Sequence, residues 1–332
     1  SESESEGVES GQTKNRLRRD ISAKMSDFTS IDDTVTVQLT DVFSREPHNG
    51  LTVGVVPEAA CLTEAQQQTI VRELGGIETA FITSNESSPD QIRWDWVDTE
   101  NERGDAAALA VAAHALEPGE QAVLYSETES ESDTGSELGS RRINCNADSS
   151  LSVQMDTPEA SFTEIDYAAV ATQLSLPAEA LSEVGRSLSP GVTQAEKSFL
   201  HIPVVFLDSL RTPGIQSTGI SKLCQQYETD GCCLFTFDTI AAHSTLHARW
   251  FDAEGTELVA APVAAVGCAA YLRMAEAVDS LPGTITIEAS HFAGTPSHLT
   301  VTVGDSMAVG GQVVTTLQGT IVVPSDDNDE II

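Results

Sequence analysis

Two stretches of the chain, 156 residues apart, share one layout. Residues 92–116 read IRWDWVDTENERGDAAALAVAAHAL, and residues 246–272 read LHARWFDAEGTELVAAPVAAVGCAAYL. Arg93-Trp94 recurs as Arg249-Trp250 and Leu116 as Leu272, all at the same offset. Each stretch reads as a strand, a turn and a helix of small residues. Such a recurrence points to two structurally similar halves. A helix so rich in Ala, Gly and Cys can be enclosed closely on every side, so each half is expected to wrap strands around it. The cleft between the halves then receives both helix N-termini, whose N–H groups and partial positive charge suit an anion. Gly104-Asp105 stands at one such end and Ala260-Ala261 at the other.

The remaining segments mix strands and helices. TVTVQLTDVF alternates as a strand does, and LTVGVV is a second strand. LTEAQQQTIVREL is a helix: Thr63 can cap it with Gln66 three residues on, and Leu62, Ile70, Val71 and Leu74 supply its apolar contacts. Gly75-Gly76 stops it. IETAFI follows as a strand and places a carboxylate, Glu78, at the start of an otherwise apolar run. The fold class expected is α+β: two pseudo-twofold halves, each a mostly antiparallel, barrel-like sheet around a central helix. The divisions expected are a disordered acidic tail over 1–33, a first half over 34–155, a second half over 156–324 and an acidic tail over 325–332. Residues 128–142 read as a solvated loop.

Charge narrows the function classes. The formal net charge is −34, with 51 acids against 17 lysines and arginines. Four of those cations are lysines: Lys14, Lys24, Lys197 and Lys222. Acids alternate with apolar residues in ordinary segments, which fits a surface adapted to concentrated salt. Nucleic acid is excluded as a partner, because its phosphates would be repelled. No apolar run reaches the roughly 18 residues of a membrane span, and the start of the chain lacks a signal-like apolar region. A soluble, cytoplasmic protein is expected. The six cysteines form no CxxC pair, so Cys232-Cys233 and Cys268 read as small buried hydrophobes and no metal site is expected. His243 and His247 have helical metal-ligand spacing, but LHARWF reads as a strand and separates them.

Four pieces in order, DVFSREPHNGLTVGVV, LTEAQQQTIVRELGGIETAFI and the two repeat segments, resemble the phenazine-biosynthesis isomerase-like (PhzF-like) family of the diaminopimelate epimerase superfamily. The resemblance runs from about Val37 to about Val323. It implies the pseudo-twofold fold, proton transfer on a small anionic, carboxylate-containing metabolite, no cofactor and a homodimer. IETAF matches the family's SETxF-like motif, which makes Glu78 a candidate general acid/base. Asn49 matches the Asn of the family's GNP, here His48-Asn49-Gly50. The family's CGHAT becomes Arg103-Gly104-Asp105-Ala106-Ala107, with Asp105 in the place of the histidine. In the second half the acidic residue of EDPxTGS becomes Ala261, and its Gly-Ser becomes Ala265-Val266.

The candidate site is therefore Glu78 and Asp105 as catalytic groups, with Asn49, Arg103 and Gly104 toward the substrate. Each has a plainer reading. Glu78 could pair with an arginine such as Arg103, and Asp105 could cap its helix. Glu78 and Asp105 could also share a proton if they lie within a few ångströms. Arg93 and Arg249 read as salt-bridging residues beneath the barrels. His243, His247, His291 and His298 read as residues without a role. Two functions from different classes remain: a proton-moving isomerase or epimerase, and an inactive family member acting as a binding or interaction protein.

Overall fold

The computed structural model describes residues 34–323, apart from 89–90, 98–103, 127–139, 186, 212–214 and 216. Both tails and Arg103 lie outside the described residues. Most of the loop expected at 128–142 also lies outside, and the strand Ser140–Cys145 takes up its end.

The repeat is realised as two sheets with the same order of pairings. In the first half, Thr34–Val42 pairs antiparallel with Leu51–Val56, which runs parallel to Thr79–Ser88. Gln91–Val97 follows antiparallel, then Gln121–Ser126 parallel, then Ser140–Cys145 and Leu151–Met155 antiparallel. The second half repeats this through Gly191–Gln194, Ser198–Pro203, Gly231–Thr236, Leu246–Asp252, Gly283–Ala289, Ser297–Val303 and Met307–Gly311. The alternation of parallel and antiparallel neighbours follows from helical crossovers at matching places. One crossover is the helix Glu64–Glu73, whose Thr63 side chain accepts from Gln66 N–H while Gln66 reaches back to the Thr63 N–H. Its counterpart is the helix Ser217–Tyr227.

The two sheets meet at one strand pair. Leu151–Met155 lies antiparallel to Met307–Gly311, with Met155 opposite Met307 and Val153 opposite Val309. Val153 and Val309 are themselves 156 residues apart, so the pseudo-twofold axis passes between them. The closeness requires glycine: a Cβ on Gly310 would stand 1.8 Å from the Leu151 carbonyl oxygen. Beyond this seam the chain exchanges strands. Glu159–Phe162 follows the seam and pairs with Gly191–Gln194 in the second half. Val313–Val322 leaves the second half and pairs along the whole of Thr34–Val42 in the first. The crossing of this last strand does not follow the division of the chain at 155/156.

Each half encloses one helix, Asp105–Ala115 in the first and Pro262–Met274 in the second. Residues 105–112 of the first are all buried, as are Pro262 and residues 264–272 of the second. Neither helix has the polar stripe of a surface helix, because sheet surrounds it. Small side chains set the distance between helix and strands. Close-packed interiors tolerate added volume poorly. Ala108 has no exposure. Replacing it by leucine is expected to cost about 1–3 kcal/mol, measured by urea denaturation in concentrated KCl, whereas Ala115→Leu at the exposed end of the helix should change little.

Candidate functional site

The cleft lies where the two central helices point their N-termini at each other. Glu78, Gly104, Asp105 and Ala106 line it from the first half, and Lys197, Phe199, Leu258 and residues 261–264 from the second. Glu78 directly precedes the strand Thr79–Ser88, and its carbonyl accepts the Gly54 N–H at 2.9 Å. That parallel pairing fixes the backbone, and the side chain enters the cleft with Oε1 shielded from solvent.

Gly104 caps the first central helix in a left-handed conformation, φ 67°. A Cβ there would stand 2.8 Å from the Trp96 indole, so the glycine answers both a strained φ and a close approach. Asp105 is consequently not the cap. It occupies the first helical position, where a negative charge still meets the helix dipole favourably. Its Oδ1 accepts from Arg141 Nε at 3.1 Å, and both side chains are at most 5% exposed. Arg141, from the strand Ser140–Cys145, is thus a cation beside Asp105 that the sequence had not marked.

The second half presents a different surface. Ala261 caps the helix Pro262–Met274 with no side-chain hydrogen bond, and Pro262 begins it. Ala260 sits at φ 51°, its N–H directed to Ser290 Oγ at 3.3 Å. Ala261, Pro262, Val263 and Ala264 therefore bring only apolar side chains to the cleft that Glu78 lines. Lys197 is the one polar side chain this half brings to the cleft among the described residues. It comes from the short turn between Gly191–Gln194 and Ser198–Pro203, a position without a motif to mark it in the sequence. The cleft is narrow. Its cavity volume is about 30 Å³, room for roughly two waters.

Asn49 does not join this group. The turn 43–50 is tied down by Asp41, which accepts from His48 N–H at 2.6 Å and from Thr52 Oγ1 at 2.7 Å. Gly50 N–H then bonds the Pro296 carbonyl at 3.0 Å. Asn49 accordingly lines a second, larger cavity of about 730 Å³ between the halves, with Arg45, His243, His291 and His298. The four histidines, expected to have no role, are neighbours: His243 stacks on His298 at 5.3 Å, and His247 lies 5.1 Å from His291. His247 Nδ1 meets Glu288 Oε1 at 3.0 Å. Of the two arginines expected to bridge beneath the barrels, Arg249 does so bidentately, with Glu257 at 2.8 and 2.6 Å. Arg93 is exposed.

Two predictions arise from these buried charges. Arg141→Met removes one partner of a buried ion pair and is expected to cost about 3–5 kcal/mol; the double variant with Asp105→Asn should recover part of this in the same denaturation assay. Burial alone would raise the Glu288 carboxyl, but hydrogen bonds from His247 and the Ile240 and Ala241 N–H groups outweigh it and hold it at about 2. Its folded value lies below its ordinary 4.5. Its contribution is therefore complete above pH 4.5 and is lost as pH falls towards 2. Acid titration of stability should show that loss, and Glu288→Gln should flatten it.

Comparison with known proteins fits this geometry. A structure of a Bacillus anthracis phenazine biosynthesis protein of the PhzF family superposes with TM-score 0.68 at 18% identity, covering 87% of this chain and 99% of that one. A predicted epimerase from Pseudomonas aeruginosa superposes with TM-score 0.64 at 22% identity, covering 87% and 100%. The uncharacterized isomerase YddE of Escherichia coli strain K12 is 46% identical over 54 residues, 16% of this chain and 18% of that relative's length. The model of the family described as phenazine biosynthesis-like protein matches residues 40–324, and the chain belongs to that family.

Proposed function

We propose that the chain is a cofactor-independent isomerase that moves a proton along one face of a small carboxylate-bearing metabolite. The observation carrying this reading is the one-sided cleft. Glu78 faces it from the first half, while Ala261 and Val263 stand across from it. One carboxylate can take a proton from one carbon and return it to another on the same face. Inversion at a carbon needs a second acid on the opposite face, where alanine holds no proton and Lys197 is assigned to the substrate carboxylate. Lys197 and the N–H groups at Gly104–Ala106 would hold the substrate carboxylate and the charge that develops as the proton leaves. The narrowness of the cleft means the halves must separate slightly for substrate to enter.

The test is deuterium wash-in. The protein, in concentrated KCl and D₂O, is given a pool of small carboxylates and amino acids, and mass spectrometry reads the label. Label is expected in one compound and should fall roughly 10²–10⁴-fold with Glu78→Gln. A second reading, an inactive member that binds a small acid, draws on the apolar second half; retained binding with label in no compound would favour it.

The acidic surface supports a further part of the proposal, that the protein works in concentrated salt. A net charge of −34 repels itself unless screened. The melting temperature is expected to rise steadily from about 0.1 M to molar KCl, where the Debye length falls to about 3 Å. A flat or falling curve would count against salt adaptation.

A further inference from the structure

We propose that His201, Cys233 and Cys268 form a buried site for a thiophilic d¹⁰ metal ion, zinc(II), directly beneath the cleft. His201 and Cys233 face each other on adjacent parallel strands, Ser198–Pro203 and Gly231–Thr236. Cys268 comes down on them from the second central helix. A ring nitrogen of His201 and the two sulfurs all lie within 4.8 Å of one another, and none of the three residues has any exposure. Sequence reasoning treated the two cysteines as packing and did not single out His201.

The second half has no packing need for polar atoms at these points. Cys233 lies opposite Trp250 just as Ile82 lies opposite Trp94, so Ile82 is the counterpart of Cys233 in the first half. Ala112 is the counterpart of Cys268 at the 156-residue offset. The same fold is thus built with isoleucine and alanine in one half and with two thiols beside an imidazole in the other. A buried imidazole with an unmatched nitrogen is costly. His201 Nε2 is held by Thr193 Oγ1 at 2.7 Å and its ring stacks on Tyr271 at 5.4 Å, which fixes its orientation. Nδ1 is enclosed and has no partner. In the tautomer with Nε2–H donating to Thr193, Nδ1 presents its lone pair, the usual arrangement of a metal-bound histidine.

Zinc is the ion that fits the charge. Two thiols each lose a proton, two Zn–S bonds and one Zn–N bond form, and the complex of Zn²⁺ with two thiolates is neutral, as a dry interior requires. Ligand atoms about 2.0–2.3 Å from zinc lie roughly 3.5–3.8 Å apart. From the 4.8 Å limit, the three atoms must therefore close in by about 1.3 Å at most. Three protein ligands leave the fourth tetrahedral position to a water. Ala264, one helical turn before Cys268, and Phe199, two residues before His201, both line the cleft. The ion would brace the floor of the candidate site from below.

The full chain is refolded under reducing conditions with zinc, washed with chelator to strip carboxylate-bound metal, and analysed by elemental mass spectrometry. One zinc per chain and two protons released per zinc are expected. Cobalt(II) in its place should give sulfur-to-metal charge-transfer absorption. Cys268→Ala copies the first half's Ala112, so it should keep the far-ultraviolet dichroism of the wild type while losing both the zinc and the charge-transfer band. A reduced, folded wild type without zinc overturns the proposal, as does stoichiometric zinc in Cys268→Ala.

Discussion

The structure depends on the enclosure of two small-residue helices. Sheet surrounds each helix, so side chains larger than alanine are admitted only where a strand leaves room. This constraint explains the apolar content of the chain better than the usual pattern of one wet and one dry face. It also explains the site. A helix walled in on its sides has only its ends left to meet other groups. The pseudo-twofold axis between Val153 and Val309 brings the N-terminal ends of the two helices together. The cleft is a consequence of packing, and its chemistry is whatever stands at those two ends.

What stands there differs between the halves. The first half supplies Glu78, a buried Asp105–Arg141 pair and a glycine cap over an indole. The second supplies Ala261, Pro262 and Val263, relieved only by Lys197. Symmetry of the backbone thus carries an asymmetry of charge. Deeper in the second half the asymmetry reverses, with thiols and an imidazole where the first half has isoleucine and alanine. The two observations belong together: the second half is apolar at the surface of the cleft and polar beneath it.

Much of this was legible in the sequence. The repeat at 156 residues announced the two halves, and the Ala-rich runs announced helices buried on all sides. Glu78 stood out because a carboxylate interrupted an apolar strand, and Gly104 because it preceded a helix. Other features depend on contacts that one-dimensional patterns do not hold. Arg141 reaches Asp105 across 36 residues from a strand beside a charged loop, with no spacing to mark it. Lys197 looked like one more surface cation until a turn carried it to the cleft. The crossing of Val313–Val322 into the first sheet is a matter of topology, since any alternating strand could have ended either sheet. His201, Cys233 and Cys268 are joined by parallel pairing and a descending helix, and each alone reads as core. Asn49 shows the opposite case: a motif match whose turn is held away from the cleft by Asp41 and Pro296.

The central claim is that proton transfer here has one active face. The configuration of the exchanging carbon tests it most directly. For the compound that takes up deuterium, chiral chromatography coupled to mass spectrometry would follow label and handedness together. The account predicts deuterium entering with the enantiomeric ratio unchanged. Inversion in step with labelling would contradict it, because a second proton donor, for which the second half offers Lys197 and not Ala261, would then have to act opposite Glu78.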